Sequence, residues 1–183
     1  VCSAPGGKTT HMAALMENRG RIVACDIYDH KLQRVMENAA RLGINIIDPM
    51  LKDAREIHQD FPQQADRVLV DAPCSGLGVL RRKPDSRWRK TQQLLKELPE
   101  LQLEILKSGA ACVKPGGILV YSTCTIAREE NQAVVEKFLK DNAEFQLEHT
   151  GSRLPVPRED AMVQLYPQRD GTDGFFIACM RRK

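Results

Sequence analysis

Arg67-Val68-Leu69-Val70-Asp71-Ala72-Pro73-Cys74 is the stretch from which the fold is read. Its first half is apolar without alternation, as a strand covered on both faces must be, and an acid and a proline turn end it. Ile118-Leu119-Val120-Tyr121 followed by Ser122-Thr123-Cys124 repeats the arrangement, and Arg21-Ile22-Val23-Ala24-Cys25 followed by Asp26 repeats it again. A further short strand is expected over 44–47, with Asp53 beyond it. Helical periods separate these runs. Asp29 is placed to cap a helix whose apolar face is Leu32, Val35, Ala39 and Leu42 and which Gly43 stops. Pro99 suits the first turn of a helix running to about Val113, which Lys114-Pro115-Gly116-Gly117 ends sharply. A helix over 129–142 would bury Val134, Val135, Phe138 and Leu139. The tail offers strands at 145–147 and 175–179 around a proline-rich excursion, 154–167, and these are expected to form an antiparallel edge pair. Strands alternating with helices imply an α/β sheet, mostly parallel and twisted, with helices on both faces and an antiparallel C-terminal strand.

The 183 residues, 42% of them hydrophobic, suit one domain with a real core. No apolar run is long enough to span a bilayer and nothing resembles a signal peptide, so a soluble cytoplasmic protein with no membrane partner is expected. The six cysteines form no C-x-x-C pair, which disfavours zinc and thioredoxin-like chemistry, and no metal is expected. Cys25, Cys112 and Cys179 lie among apolar neighbours and read as core, whereas Cys2, Cys74 and Cys124 do not. Val1-Cys2-Ser3-Ala4-Pro5-Gly6-Gly7-Lys8 opens the chain as a glycine-rich turn of the kind that follows a strand, so a first strand is expected to precede it.

A net charge of +3 is too small to argue for nucleic acid, but the basic residues are unevenly placed. Leu-Arg-Arg-Lys-Pro-Asp-Ser-Arg-Trp-Arg-Lys over 80–90 carries six of them around Trp88. Arg81, Arg82, Lys83, Arg87 and Arg89 suit phosphate neutralisation, and Trp88 suits base stacking.

In an open parallel sheet, ligands bind beyond the carboxyl ends of the strands, and the unusual residues of this chain all fall there. The glycine turn, Asp26, Asp53, Asp71 with Cys74, and Cys124 form one rim lined by carboxylates and thiols. The turn Pro5-Gly6-Gly7 can bring backbone N–H groups close to a carboxylate at a helix start, and Cys2, Ser3, Ala4, Pro5, Gly6, Gly7 and Lys8 are read together as the cofactor-binding loop. Asp26 stands where an acid accepts bonds from ribose hydroxyls, Asp53 near an adenine, and Asp71 completes the set. An adenosine with a carboxylate tail and no triphosphate fits, and S-adenosylmethionine is such a ligand. A P-loop NTPase would need a glycine where Cys2 stands, and a dinucleotide-binding dehydrogenase would need the absent G-x-G-x-x-G. A noncatalytic nucleic-acid binding module would explain the basic loop but not the rim.

Four ordered motifs carry a resemblance: Cys2-Ser3-Ala4-Pro5-Gly6-Gly7-Lys8-Thr9, Asp71-Ala72-Pro73-Cys74-Ser75-Gly76, Tyr121-Ser122-Thr123-Cys124-Thr125 with Glu129-Glu130-Asn131, and Asp173-Gly174-Phe175-Phe176. Together they resemble the RNA 5-methylcytosine methyltransferases over nearly the whole chain, and most of all their bacterial RsmB (Fmu, Sun) branch, which acts on small-subunit ribosomal RNA. The basic segment is similar to that branch too. The resemblance implies a Rossmann-like class I methyltransferase fold and a catalytic domain over 1–183, with the family's N-terminal RNA-binding region lying before it. It implies S-adenosylmethionine as cofactor and RNA as partner, the neighbouring alternative being a transfer-RNA enzyme of the same family. It further implies that Cys124 is the nucleophile adding to the 6-position of cytosine and that Cys74 assists release of the methylated product. Because the DNA enzymes attack from a Pro-Cys motif, the residues themselves leave those two roles exchangeable. Asp71 is placed to hydrogen-bond the cytosine ring as the thiolate adds.

Overall fold

Strand β1, Ile22–Asp26, pairs in parallel with β2, Ile47–Leu51, and β3, Ala65–Asp71, pairs in parallel with β4, Val113–Thr123, in the computed structural model, which describes residues 1–89, 91–154 and 157–183. Residues 1–3 run between the two pairs. The Val1 amino group donates to Leu69 O at 2.9 Å, and Ser3 N donates to Cys25 O at 2.9 Å. Beyond β4 lies β7, Phe175–Arg182, antiparallel to it. The outer edge of β7 is shared by β5, Phe145–Leu147, and β6, Met162–Leu165. The strands therefore share one direction except β7, a Rossmann-like order.

The long helices that cover the sheet are α1, Gly7–Leu15; α2, Asp29–Arg41; α3, Gln92–Cys112; and α4, Gln132–Asp141. Neighbouring residues of a strand point to opposite faces, and β1 puts Ala24 and Cys25 into different cores. Ala24 packs with Ala13 of α1 and with Val35 and Ala39 of α2. Cys25 belongs to the larger cluster that contains Leu106 of α3, Phe138 of α4, and Val70, Tyr121 and Phe176 of the strands. Cys112 and Cys179 are buried as the sequence implied.

Several boundaries differ from the sequence reading, each for a local reason. The second strand lies over Ile47–Leu51 and not over 44–47, because the chain leaving α2 first folds back on it: Gly43, at φ +67°, donates to Ala40 O, and Ile44 N donates to Ala39 O. Pro49 is accommodated because β2 has a partner on one side only. Leu42 falls outside the helix and is exposed, and Asp29 is the first helical residue, with its carboxylate accepting from Gln33. Pro99 sits inside α3 and does not begin it; the turns before it are carried by Leu95 N on Thr91 O, a Gln93–Glu97 bond and the burial of Leu98. The helix expected over 129–142 divides at Asn131 into a short 3-10 turn, Arg128–Glu130, and α4. Val134, Val135 and Phe138 are buried as expected, and Leu139 partly so. Strand β6 forms inside the proline-rich excursion, where no strand was expected, and it helps make β7 an interior strand instead of half of an edge pair. Among the described residues no helix is long and apolar enough to cross a membrane.

Candidate functional site

Asp71 lies opposite Ser122 in the register of β3 with β4, so the two loops leave the sheet side by side. Ala72 N donates to Ser122 O at 2.9 Å and continues the ladder by one step. Two residues further along each chain, the loops bring Cys74 Sγ and Cys124 Sγ to 3.4 Å. That is far beyond the S–S covalent length of about 2.05 Å and corresponds to two thiols sharing a proton. Both are free. Hydrogen bonding from Cys74 pulls the Cys124 thiol down to about 7, against burial and the Asp71 charge, with Lys8 assisting. The same bond, followed by burial, pushes the Cys74 thiol far up. These directions put the shared proton toward Cys74 and the negative charge toward Cys124.

Asp71 is fixed from both sides. Lys8 Nζ donates to one carboxylate oxygen at 2.6 Å and Ser122 Oγ to the other at 2.8 Å. Lys8 also stands 4.8 Å from the centre of the Phe175 ring. Lys8, which the sequence places with the cofactor loop, joins that loop through its ammonium to the acid beside the thiols. The other residues of the loop remain together. Ala4–Pro5 is a cis peptide, Gly6 adopts φ +102°, and α1 begins at Gly7 without a side-chain cap. A Cβ on Gly6 would meet the Val35 backbone at 3.0 Å, whereas one on Gly7 would meet nothing within 4 Å. The loop thus packs closely on α2 on one side and is open on the other. Pro5, Gly7 and Lys8 are exposed, Cys2, Ser3 and Ala4 are half-buried, and burial pushes the Cys2 thiol up to about 11.

Asp26 ends β1 with its carboxylate accepting from Ala4 N at 3.2 Å and Tyr28 N at 3.3 Å, which ties the glycine loop to the strand. Asp53 follows β2 as expected, and its carboxylate is engaged by Arg55 through backbone and guanidinium, which hold it below the usual carboxylate range. Asp26, Asp53, Asp71 and the glycine loop all lie at the carboxyl ends of the parallel strands, where sequence reasoning put them.

In the basic loop, Trp88 is 76% exposed with the Arg87 guanidinium 4.5 Å over its ring, and Lys83 is exposed. Arg81 and Arg82, read from sequence as phosphate ligands, both donate to the carboxylate of Asp173. The side chain of Arg89 lies outside the described residues, as does Lys90. Backbone bonds join this region to the thiols: Gly78 N donates to Cys124 O at 3.0 Å and Gly174 N to Gly78 O at 2.8 Å.

Sequence reasoning missed a buried polar layer beneath the thiols, made by Glu130, Asn131, Gln102 and Gln164. Asn131 accepts from Thr123 Oγ1 and donates to Thr125 O and Gln164 Oε1. Glu130-Asn131 stood out as part of a motif without a role; Gln102 and Gln164, in a helix and in a strand that was not foreseen, carried no signal.

Comparison with known proteins gives a consistent picture. Residues 1–181 match the family described as 16S rRNA methyltransferase RsmB/F. The chain is 45% identical over its whole length to a probable ribosomal RNA small subunit methyltransferase B of Bacillus subtilis, covering 42% of that protein. It is 38% identical to the ribosomal RNA small subunit methyltransferase B of Yersinia pseudotuberculosis, covering 41% of it. The chain thus spans less than half the length of the curated relatives it matches. Among solved structures, NSun6 from Pyrococcus horikoshii with SFG aligns at TM-score 0.87 and 35% identity, over 98% of this chain and 46% of that one. A methyltransferase homolog protein from the same organism aligns at 0.80 and 34%, over 99% and 59%.

Proposed function

We propose a reaction from one premise: the chain belongs to the 16S rRNA methyltransferase RsmB/F family. In this reading residues 1–183 act as a catalytic domain that methylates the 5-position of cytosine in RNA, with small-subunit ribosomal RNA as substrate and S-adenosylmethionine as methyl donor. The observation that carries it is the pair of thiols 3.4 Å apart beside a fixed carboxylate at the ends of β3 and β4.

The cofactor would lie along the loop from Cys2 to Lys8, with Asp26, Asp53 and Asp71 as its polar partners. The uncapped N-terminus of α1, open at Gly7, fits the carboxylate of its methionine tail. When bound, it supplies a methyl group on a positively charged sulfur. The chain's own residues must make the ring receptive. Carbon 5 of cytosine is a weak nucleophile, and addition of the Cys124 thiolate to carbon 6 makes it a strong one. Asp71, held between Lys8 and Ser122, lies where a hydrogen bond to the ring draws electron density as the sulfur adds. Cys74 donates to the Cys124 sulfur whenever that sulfur carries charge, before attack and again as it is expelled. On this account the polarity of the thiol pair favours Cys124 as nucleophile and Cys74 as the residue that assists release. Arg87 and Trp88 would meet the RNA at the rim, the one at phosphate and the other on a base.

RNA carrying 5-fluorocytosine tests the reading, because fluorine at carbon 5 cannot leave as a proton and the adduct persists. Incubated with S-adenosylmethionine and the full chain, it should yield a protein–RNA species whose modified peptide contains Cys124. Modification of Cys74 would reverse the roles, and no adduct at all would overturn the covalent mechanism.

A further inference from the structure

Glu130 is 1% exposed, and among the described residues no cation lies within ion-pair distance of its carboxylate. A buried carboxylate in such a place is costly unless donors surround it. Three do. Ser75 N donates to Oε2 at 2.8 Å, Gln102 Nε2 to the same oxygen at 2.9 Å, and Thr125 Oγ1 to Oε1 at 3.3 Å. Ser75 and Thr125 are the residues directly after Cys74 and Cys124, and their hydroxyls meet at 2.8 Å. Gln102 spends its second amide hydrogen on Pro73 O, directly before Cys74, at 2.9 Å, and among the described residues its own buried Oε1 has no partner. The Tyr121 hydroxyl pins Glu130 from the other end by donating to its carbonyl at 2.7 Å.

Resting on the function proposed above, we infer that Glu130 is a positioning residue: it ties the backbone after Cys74 to the side chain after Cys124 and so fixes the two thiols at contact distance. A carboxylate suits this place because all the groups facing it donate, and each of its oxygens can accept more than one bond. Glutamine, oriented with its carbonyl toward Ser75 N and its amide toward Thr125 Oγ1, preserves the tie if the two hydroxyls reverse their bond. Alanine removes it. The thiols then drift apart, Cys74 no longer shares its proton, and Cys124 returns toward ordinary thiol behaviour.

The test reads the thiol directly and does not depend on methylation. The rate of Cys124 alkylation by iodoacetamide is followed against pH by mass spectrometry in the full chain, as wild type, Glu130→Gln and Glu130→Ala, with unfolding recorded for each. The Ala variant should shift the alkylation midpoint upward by about one pH unit or more. The Gln variant should stay near wild type. With RNA substrate, kcat of the Ala variant should fall by about 10- to 100-fold, as misplaced reacting groups do, with the KM for S-adenosylmethionine unchanged. An Ala variant that melts earlier but keeps the wild-type alkylation midpoint would overturn the positioning role. A shifted midpoint in a chain whose wild type methylates no RNA would uphold it while refuting the function on which its catalytic meaning rests.

Discussion

Cys74 and Cys124 have the same side chain and become different reagents through one hydrogen bond and unequal surroundings. The shifts put the charge toward Cys124, which ionises at about 7, so in the proposed mechanism the fraction ready to attack rises as pH climbs through that value. Activity on RNA should therefore increase from pH 6 to 8 with a midpoint near 7. In Cys74→Ala the lowering bond is gone and the midpoint of adduct formation should move up toward the ordinary thiol range. In the proposed mechanism the same variant also loses help in expelling the sulfur. At about pH 9, where Cys124 ionises unaided, it should therefore accumulate a slowly migrating protein–RNA band on a denaturing gel. Cys124→Ala should give neither band nor methylation at any pH, with cofactor affinity near normal by calorimetry. A trapped band from Cys124→Ala and none from Cys74→Ala would exchange the two roles.

The basic segment shows how far an element's composition can be read. The segment adjoins the rim and Trp88 is exposed, as an RNA contact requires, but two of its arginines, though exposed, are paired with Asp173. Replacing Arg81, Arg82 and Arg87 together should flatten the salt dependence of RNA binding, lowering the slope of log K against log salt by about 0.7 for the Arg87 contact, and by about 2 if Arg81 and Arg82 exchange Asp173 for phosphate. An unchanged slope accompanied by a lower melting temperature would mean that these residues serve only to anchor the C-terminal turn. The same contrast explains what was legible in the sequence. Apolar runs ending on Asp26, Asp71 and Ser122 placed β1, β3 and β4, and with them the Asp26, Asp71, Cys74 and Cys124 part of the rim, because a doubly covered strand leaves a continuous apolar signature. Strand β2 slid along the chain because the residues after α2 are used to close that helix, and β6 left no signature in four residues of mixed polarity. Pro99 misled because packing along α3 outweighs the roughly 3 kcal/mol that proline costs inside a helix. The 3.4 Å meeting of the thiols was out of reach, since it depends on the register of β3 against β4.

The whole molecule rests on a larger core shared by the sheet and the α3–α4 side, with Phe138 at 0% exposure and its ring edge-on to Phe145 at 5.3 Å. Phe138→Ala should lower stability by about 3–5 kcal/mol, measurable as an earlier urea midpoint with little change in slope. A loss below about 1 kcal/mol would mean that this corner of the core collapses freely around the gap. The top of the sheet is closed more rigidly, by the approach of Gly78 to Gly174. A Cβ on Gly78 would fall 2.0 Å from the Gly174 carbonyl oxygen, and one on Gly174 would fall 2.7 Å from the Gly78 Cα. Most tight contacts leave lineages a way out, because a larger residue on one side can be answered by a smaller one on the other. Here both sides already carry the smallest residue there is, so no second substitution in the pair can answer the first. Descent with modification can reshape the loops around this junction, but at these two positions it has no neighbouring step to take.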